Sequence, residues 1–138
     1  MSKTLTIALI LVIGSVIYLS TGCAKDKDPE VIEFVMQVDS IQHADTITAG
    51  EVFEIRFFGV IGPNDCFEFS RFEPGFGPDN MNFTLYAKET KRDDCGGAGQ
   101  YLNGGGVGIT DATAGDWTIQ VNQPEGIAPI MSTVHVKE

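Results

Sequence analysis

The segment VIEFVMQVD, residues 31–39, decides the fold class, because its apolar residues recur at every second position. Ile32, Phe34, Met36 and Val38 fall on one side of an extended chain, and three of the five residues on the other side are polar. Successive side chains of a β-strand point to opposite faces of its sheet, whereas a helix needs apolar residues three and four positions apart. The segment therefore predicts a strand with one buried face.

The same alternation recurs along the rest of the chain. Six further runs have this strand pattern: 53–58, 66–72, 81–88, 101–110, 117–122 and 130–137. Clusters of Gly, Pro, Asn and Asp separate the runs, as at 62–65 and 74–79, and we expect them to end strands. We expect a turn between the first two runs. About seven short antiparallel strands bury their apolar faces by packing as two sheets, so residues 31–138 are predicted to form a β-sandwich.

The first 22 residues have the order of an export signal. Lys3 gives a basic start, residues 7–19 are mostly apolar, and small residues precede Cys23. The apolar run covers 13 residues, fewer than the roughly 20 that a membrane-spanning helix needs. The end of the signal resembles a bacterial lipobox, with Ser20 where Leu is usual and Leu19 one position earlier. We therefore expect Cys23 to be diacylated and to begin the mature protein; ordinary secretory cleavage with a free thiol is the alternative.

Residues 23–30 form a charged tether between this anchor and the first strand. The segment resembles the Lys/Asp-rich export tag that follows the lipidated Cys in surface-exposed lipoproteins of Bacteroidota. Ala24, not Asp, follows Cys23, so an inner-membrane retention signal is absent. The sequence favours an outer-membrane protein held by its lipid and displayed at the cell surface.

Residues 111–121 resemble the approach to strand F of immunoglobulin-like domains. Asp111, Gly115 and Asp116 precede Trp117, which stands where those domains have a tyrosine corner. An indole only donates and has a different reach, so the corner's hydrogen bond does not follow from the residue type. Together with the lipobox and tether, the strand series is similar to small immunoglobulin-like lipoproteins of Bacteroidota. The resemblance implies an immunoglobulin-like antiparallel β-sandwich and a location, and it implies no chemistry.

With Cys23 assigned to lipid, Cys66 and Cys95 remain, and an exported protein can oxidise them. We expect them to pair and to fasten the start of the glycine-rich stretch to the loop that holds Asn64 and Asp65. A redox role is not favoured, because the CxxC spacing is absent.

Residues 96–108 contain seven glycines, yet no Lys-Ser or Lys-Thr follows them and no helix is predicted after them, so they are not a phosphate loop. We expect a mobile loop or an irregular edge strand, with Tyr101 and Asn103 as contacts for a ligand.

In residues 66–76, Phe67 and Phe69 share a face while Phe72 falls on the opposite one. Phe72 and Phe76 then either seal the end of the core or belong to an exposed patch for a protein or glycan.

Composition excludes several functions. Nine Lys and Arg face nineteen Asp and Glu, and Lys3 is the only charged residue before Cys23, so the mature chain has a net charge of about −11, which argues against nucleic acid. His43 and His135 are the only histidines. The sequence predicts no metal site, no cofactor and no catalytic residue, since no GxSxG nucleophile motif is present.

Ser40 and Thr46 lie in triplets that resemble the acceptor sites of Bacteroidota O-glycosylation.

These features favour a non-enzymatic interaction or accessory module whose partner is an extracellular protein or a glycan. A carbohydrate-binding accessory of a glycan-uptake system is the second hypothesis, for which an exposed row of aromatic rings would be the sign. A small inhibitor or a Ca²⁺-binding domain is the third, since Asp93 and Asp94 adjoin Cys95.

Overall fold

The computed structural model describes residues 27–138, which form nine β-strands and no helix. The signal segment and Cys23 lie outside these described residues. The strands are β1 (Val31–Val35), β2 (Ser40–Gln42), β3 (Thr46–Thr48), β4 (Phe53–Gly62), β5 (Phe67–Phe76), β6 (Asn80–Thr90), β7 (Gln100–Ile109), β8 (Gly115–Val121) and β9 (Ile130–Lys137).

Two sheets pack face to face, which confirms the predicted all-β, two-sheet architecture. In the larger sheet β5 lies along one edge of β6, and β1 and β8 share the other edge, followed by β9 and β3. In the smaller sheet β4 lies between β2 and β7. β5 and β7 are thus long edge strands, one in each sheet.

The shared edge of β6 explains why not all neighbours are antiparallel. β1 covers only Tyr86–Thr90, and β8 occupies Asn80–Phe83 in parallel orientation. Where β1 leaves the sheet, Gln123 accepts from the Val38 N–H at 3.0 Å and donates to the Val38 carbonyl at 2.8 Å. This side chain supplies the hydrogen bonds that a neighbouring strand would otherwise make. β3 and β9 form a second parallel pair, so the prediction of a wholly antiparallel sandwich is wrong.

The count of nine strands also exceeds the expected seven or so. The additional ones, β2 and β3, lie where the sequence predicts a turn, and each has three residues. Each carries one inward apolar residue, Ile41 in the smaller sheet and Ile47 in the larger one. Three residues are too few for a period-two pattern to be recognised. The exposed Ser40 and Thr46 consequently lie in strands rather than in a turn.

β5 differs from its prediction in length and in the direction of its side chains. It continues through Pro74, which an edge strand tolerates because one side of its backbone is unpaired. Its register shifts at Ser70, between the pairs Phe69–Ala87 and Arg71–Tyr86. A bulge of one residue reverses the alternation. Phe72 therefore shares the inward face of Phe67 and Phe69, contrary to the prediction from uninterrupted alternation.

The core lies between β4 on one side and β6, β8 and β9 on the other. Phe57 is its centre: the side chain is fully buried, and its ring centroid lies 5.4 Å from that of Phe72 and 5.5 Å from that of Phe83. The aliphatic residues of the core include Ile55, Leu85, Ile119, Val121, Val134 and Val136. These are the inward positions of the sequence alternation, so the pattern that predicts the strands also predicts the core.

Candidate ligand-binding surface

Two loops are fastened together next to the start of β7. Cys66 and Cys95 are placed at disulfide distance, with Cα atoms 5.4 Å apart. Beside them the Asp65 N–H donates to the Gly96 carbonyl at 2.9 Å, and the Gly96 N–H donates to the Asp65 carboxylate at 2.9 Å. The expected attachment of the glycine-rich stretch to the 62–67 loop is therefore present, and it fixes where β7 begins.

The glycine-rich stretch is largely an ordered edge strand, the second of the two structures expected for it. Nine of the ten residues of β7 pair with β4, and the register shifts at the unpaired Gly104. Gly104 has φ +80°, a backbone conformation that favours glycine, and the Phe58 ring lies over it. The shift sets which side chains of β7 face outward on either side of Gly104.

The outer face of the smaller sheet carries an apolar and polar surface that we call the Tyr101 patch, formed by Asp39, Phe58, Val60, Tyr101 and Asn103. Tyr101 is 66% exposed, and Asn103 is exposed beside it on the same strand face. The residues surround a shallow depression of about 360 Å³. The two sequence-predicted contacts of β7 thus lie on one surface, with an aromatic ring, an amide and a carboxylate.

A second surface, the Phe76 groove, opens between the ends of β5 and β7. Its residues are Pro74, Phe76, Val107, Ile109, Ala112 and Trp117, with Asp111 at its margin. Phe76 is 61% exposed, and its ring packs edge-on against Phe83 with centroids 6.4 Å apart. The groove has a volume of about 460 Å³ and a mostly apolar wall, which suits large apolar side chains.

Trp117 forms one wall of this groove. Its indole makes a hydrogen bond to the backbone that could not be predicted from the residue type alone. Its indole Nε1–H donates to the Thr113 carbonyl at 2.9 Å, four residues upstream. The bond holds the turn before β8, in which Asp111 has φ 65°. The indole thereby does for this turn what the phenol does at a tyrosine corner.

The four predicted contact residues do not form a single site. Tyr101 and Asn103 belong to the Tyr101 patch, and Phe76 belongs to the Phe76 groove. Phe72 is half-buried and packs on Phe57 and Phe69 inside the sandwich. Phe72 lies in the packing beneath β7 and belongs to neither surface.

A third concavity, of about 630 Å³, is polar and contains a histidine and serine in contact. His43 Nε2 lies 2.8 Å from Ser132 Oγ, and Nδ1 lies 2.9 Å from the Ala44 carbonyl. Because a carbonyl only accepts, Nδ1 carries a proton, and in the neutral imidazole Nε2 then accepts from the Ser132 hydroxyl. The contact fastens the segment between β2 and β3 to β9. Sequence reasoning missed this pair, since 89 residues separate its members.

An ion-pair cluster lies on the outer face of the larger sheet where β1, β5 and β6 adjoin. Arg71 pairs with Glu33 and lies over the Tyr86 ring, 3.9 Å from its centroid. Hydrogen bonds from Arg71 and then Ser70 hold the pKa of Glu33 below its usual value. Its contribution to stability is therefore present above the ordinary Glu pKa and is lost as pH falls through the lowered one. The ring of Tyr86 is thus half-buried beneath Arg71.

Within residues 27–138 no group of three or more His, Cys, Asp or Glu side chains is arranged to hold a metal. Near the bridge, Asp65 is engaged by Gly96 and lies 3.6 Å from Arg92, and Arg92 lies 3.8 Å from Asp94. Asp65 and Asp94 thus both face Arg92.

Comparison of the chain with protein-family models finds no match, and neither the curated proteins nor the solved structures give one. Among the described residues, no helix has the length and apolar character needed to cross a membrane.

Proposed function

We propose that the mature protein is a lipid-anchored module of the outer-membrane surface that acts by binding an extracellular partner. The observation that carries this proposal is the position of the Phe76 groove relative to the tether. The tether enters at Val31, which pairs with Thr90 at one end of β6, whereas Phe76 pairs with Met81 at the other end. Those ends are about 30 Å apart at 3.3 Å per residue. An anchor at Cys23 would thus be attached at the end of the domain that lies far from the groove.

The proposal includes the immunoglobulin-like class of the sandwich. The facing of two sheets and the Trp117 corner support that class, while the two parallel pairs depart from its simplest pattern. A folded domain of this kind offers its strand edges and end loops to partners.

Replacement of the anchor residue, Cys23→Ser, is expected to abolish lipidation and to release the protein from the membrane fraction. The thiol is the acylated atom in the proposed processing, and a hydroxyl does not replace it. Intact mass after expression in a Bacteroidota host would show acyl chains on wild type beginning at residue 23 and none on the variant. Cys66→Ser/Cys95→Ser is the matched control, because it removes both cysteines of the folded domain and should leave acylation at Cys23 unchanged. Acyl chains on the Cys23→Ser chain, or none on wild type, would contradict the anchor.

Binding through the exposed residues of β7 is tested by a photo-crosslinking amino acid at position 101 in the same host. We expect a discrete high-mass adduct after illumination, because the side chain at 101 points to solvent. The same residue at Thr133, exposed on the outer face of the larger sheet, is the control and should give no such band. Equal adducts at the two positions, or none at either, would count against a partner at this surface.

A carbohydrate partner is the second candidate, and the composition of the Tyr101 patch favours it. An exposed ring can stack on a sugar face, while the Asn103 amide and the Asp39 carboxylate supply hydrogen bonds to hydroxyl groups. The single exposed ring is less than the row of aromatic rings that would be the strongest sign. The adduct at 101 distinguishes the two candidates after proteolysis: a protein partner leaves a peptide of a second sequence linked to the peptide that contains position 101, whereas a glycan partner leaves carbohydrate that periodate cleaves.

A non-enzymatic role predicts that Ser132 does not react as a nucleophile. Its hydroxyl donates to His43, yet His43 Nδ1 is bonded to a backbone carbonyl rather than to a carboxylate. We expect a fluorophosphonate probe to leave the protein unlabelled under conditions that label a serine esterase. Labelling that disappears in both Ser132→Ala and His43→Ala would overturn the non-enzymatic proposal.

A further inference from the structure

The outer edge of β7 lacks the features that usually prevent a further strand from pairing with an edge strand. Among its ten residues none is charged and none is proline, and four are glycine. Edge strands are normally protected from pairing by charges, proline or short length. The other long edge strand, β5, has such protection in Glu68, Arg71, Glu73 and Pro74, and the edge strands β2 and β3 have three residues each.

β7 pairs only with β4 among the described strands, so its other side presents backbone N–H and C=O groups to solvent. An extended peptide added there would continue the smaller sheet by main-chain hydrogen bonds. Val107 and Ile109 of β7 line the Phe76 groove. Apolar side chains on one face of an added strand would enter that groove, while its alternate side chains would lie beside Gly106 and Gly108.

The negative charge of the chain favours a basic partner at this edge over a second copy of the chain. Charged side chains beside the second half of β7 are those of Glu54, Arg56 and Asp111. Glu54 and Arg56 form an ion pair at 2.9 Å. The local balance is negative, as is the net charge of −10 for the whole chain. A second copy of this chain would carry the same charge and be repelled, whereas a basic segment would be attracted.

We infer that β7 is a β-augmentation site for an extended peptide segment of a partner protein, in which large apolar residues alternate with basic ones. The apolar side chains occupy the Phe76 groove and the basic ones lie on the outer face near Glu54. This inference rests on the proposed role as an interaction module and names the class of partner.

The test uses the mature lipidated protein in nanodiscs of neutral phosphatidylcholine. The probe is a fluorescein-labelled seven-residue peptide of alternating Val and Lys, and the control peptide has proline in place of its central Val. We expect saturable binding of the first peptide and binding at least tenfold weaker for the second, because proline removes a donor from the ladder. Hydrogen exchange should slow in residues 100–109 when the first peptide is bound.

Gly108 permits a charge test with little risk to folding. A Cβ there would have Val52 Cγ1 as its nearest neighbour, at an ordinary 3.6 Å. We expect Gly108→Lys to weaken peptide binding about tenfold and Gly108→Glu to strengthen it about threefold, at low ionic strength. Met131→Lys, at an exposed position of the larger sheet, adds the same charge away from β7 and should change binding less than twofold.

Several outcomes would overturn the inference. These are absence of binding at millimolar peptide, equal binding of the two peptides, and equal effects of Gly108→Lys and Met131→Lys without protection of residues 100–109. Self-association with protection of β7 in the absence of peptide would assign the edge to a second copy. A specific adduct at position 101 together with failure here would leave the interaction module standing and remove only its peptide partner.

Discussion

Loss of the Cys66–Cys95 bridge is expected to lower the free energy of unfolding by about 3.5 kcal/mol. The bridge closes a loop across a sequence separation of 29 residues, and on the chain-entropy model a loop of about 30 residues has this effect through the unfolded state. A small domain has about 5–15 kcal/mol of net stability. The bridge therefore accounts for a large share of it.

The measurement is chemical denaturation of wild type with and without a reductant, beside the double variant Cys66→Ala/Cys95→Ala. The unfolding midpoint of wild type should move to a lower denaturant concentration on reduction. The double variant should unfold at nearly the same concentration as reduced wild type, whether or not the reductant is present. A wild-type protein whose midpoint does not respond to reductant would show that the two cysteines are unpaired or that their pairing is energetically neutral.

Truncation of Phe57 is expected to have an effect of similar size, about 4 kcal/mol. Phe57 is fully buried between Phe72 and Phe83, and removal of a buried phenyl group costs about 3–5 kcal/mol through lost burial and the cavity that remains. Phe57→Ala should unfold at much lower denaturant than wild type, with the transition followed by circular dichroism.

The next residue provides the matched control. Phe58 is half-buried on the outer face, where its ring lies over Gly104, so Phe58→Ala should cost about 1–2 kcal/mol by area alone. Equal losses from the two variants would contradict the assignment of Phe57 to the core and of Phe58 to the outer face.

The alternation of apolar and polar residues predicts most of the sandwich, because each strand must bury one face. β9 occupies the residues predicted for it, and β6 and β8 lie within about two residues of their predicted ends. The same local pattern cannot contain a bulge. The one-residue shift at Ser70 depends on pairing with β6, and it turns Phe72 to the face of Phe67 and Phe69, opposite to the face that uninterrupted alternation predicts.

Sequence reasoning located the candidate surface only in part. Tyr101 and Asn103 lie on an edge strand, one of the two structures expected for the glycine-rich stretch, and both side chains are exposed. Their role as contacts for a ligand stays a prediction. The Phe76 groove was beyond reach, since it joins β5, β7 and the turn before β8. The contact of His43 with Ser132 was likewise beyond reach, because it depends on how the chain crosses between sheets.

The division of one edge of β6 between β1 and β8 has a mechanical consequence for an anchored protein. A pull transmitted from Cys23 would reach the domain at Glu30, whose carbonyl accepts from the Lys91 N–H at 2.8 Å, and then load β1. β1 has only five residues, and β8 is held to β6 by its own hydrogen bonds. If the chain is anchored as proposed, we expect tension to break the five-residue pairing of β1 before that of β8, which would lengthen the tether and leave the edge of β7 in place.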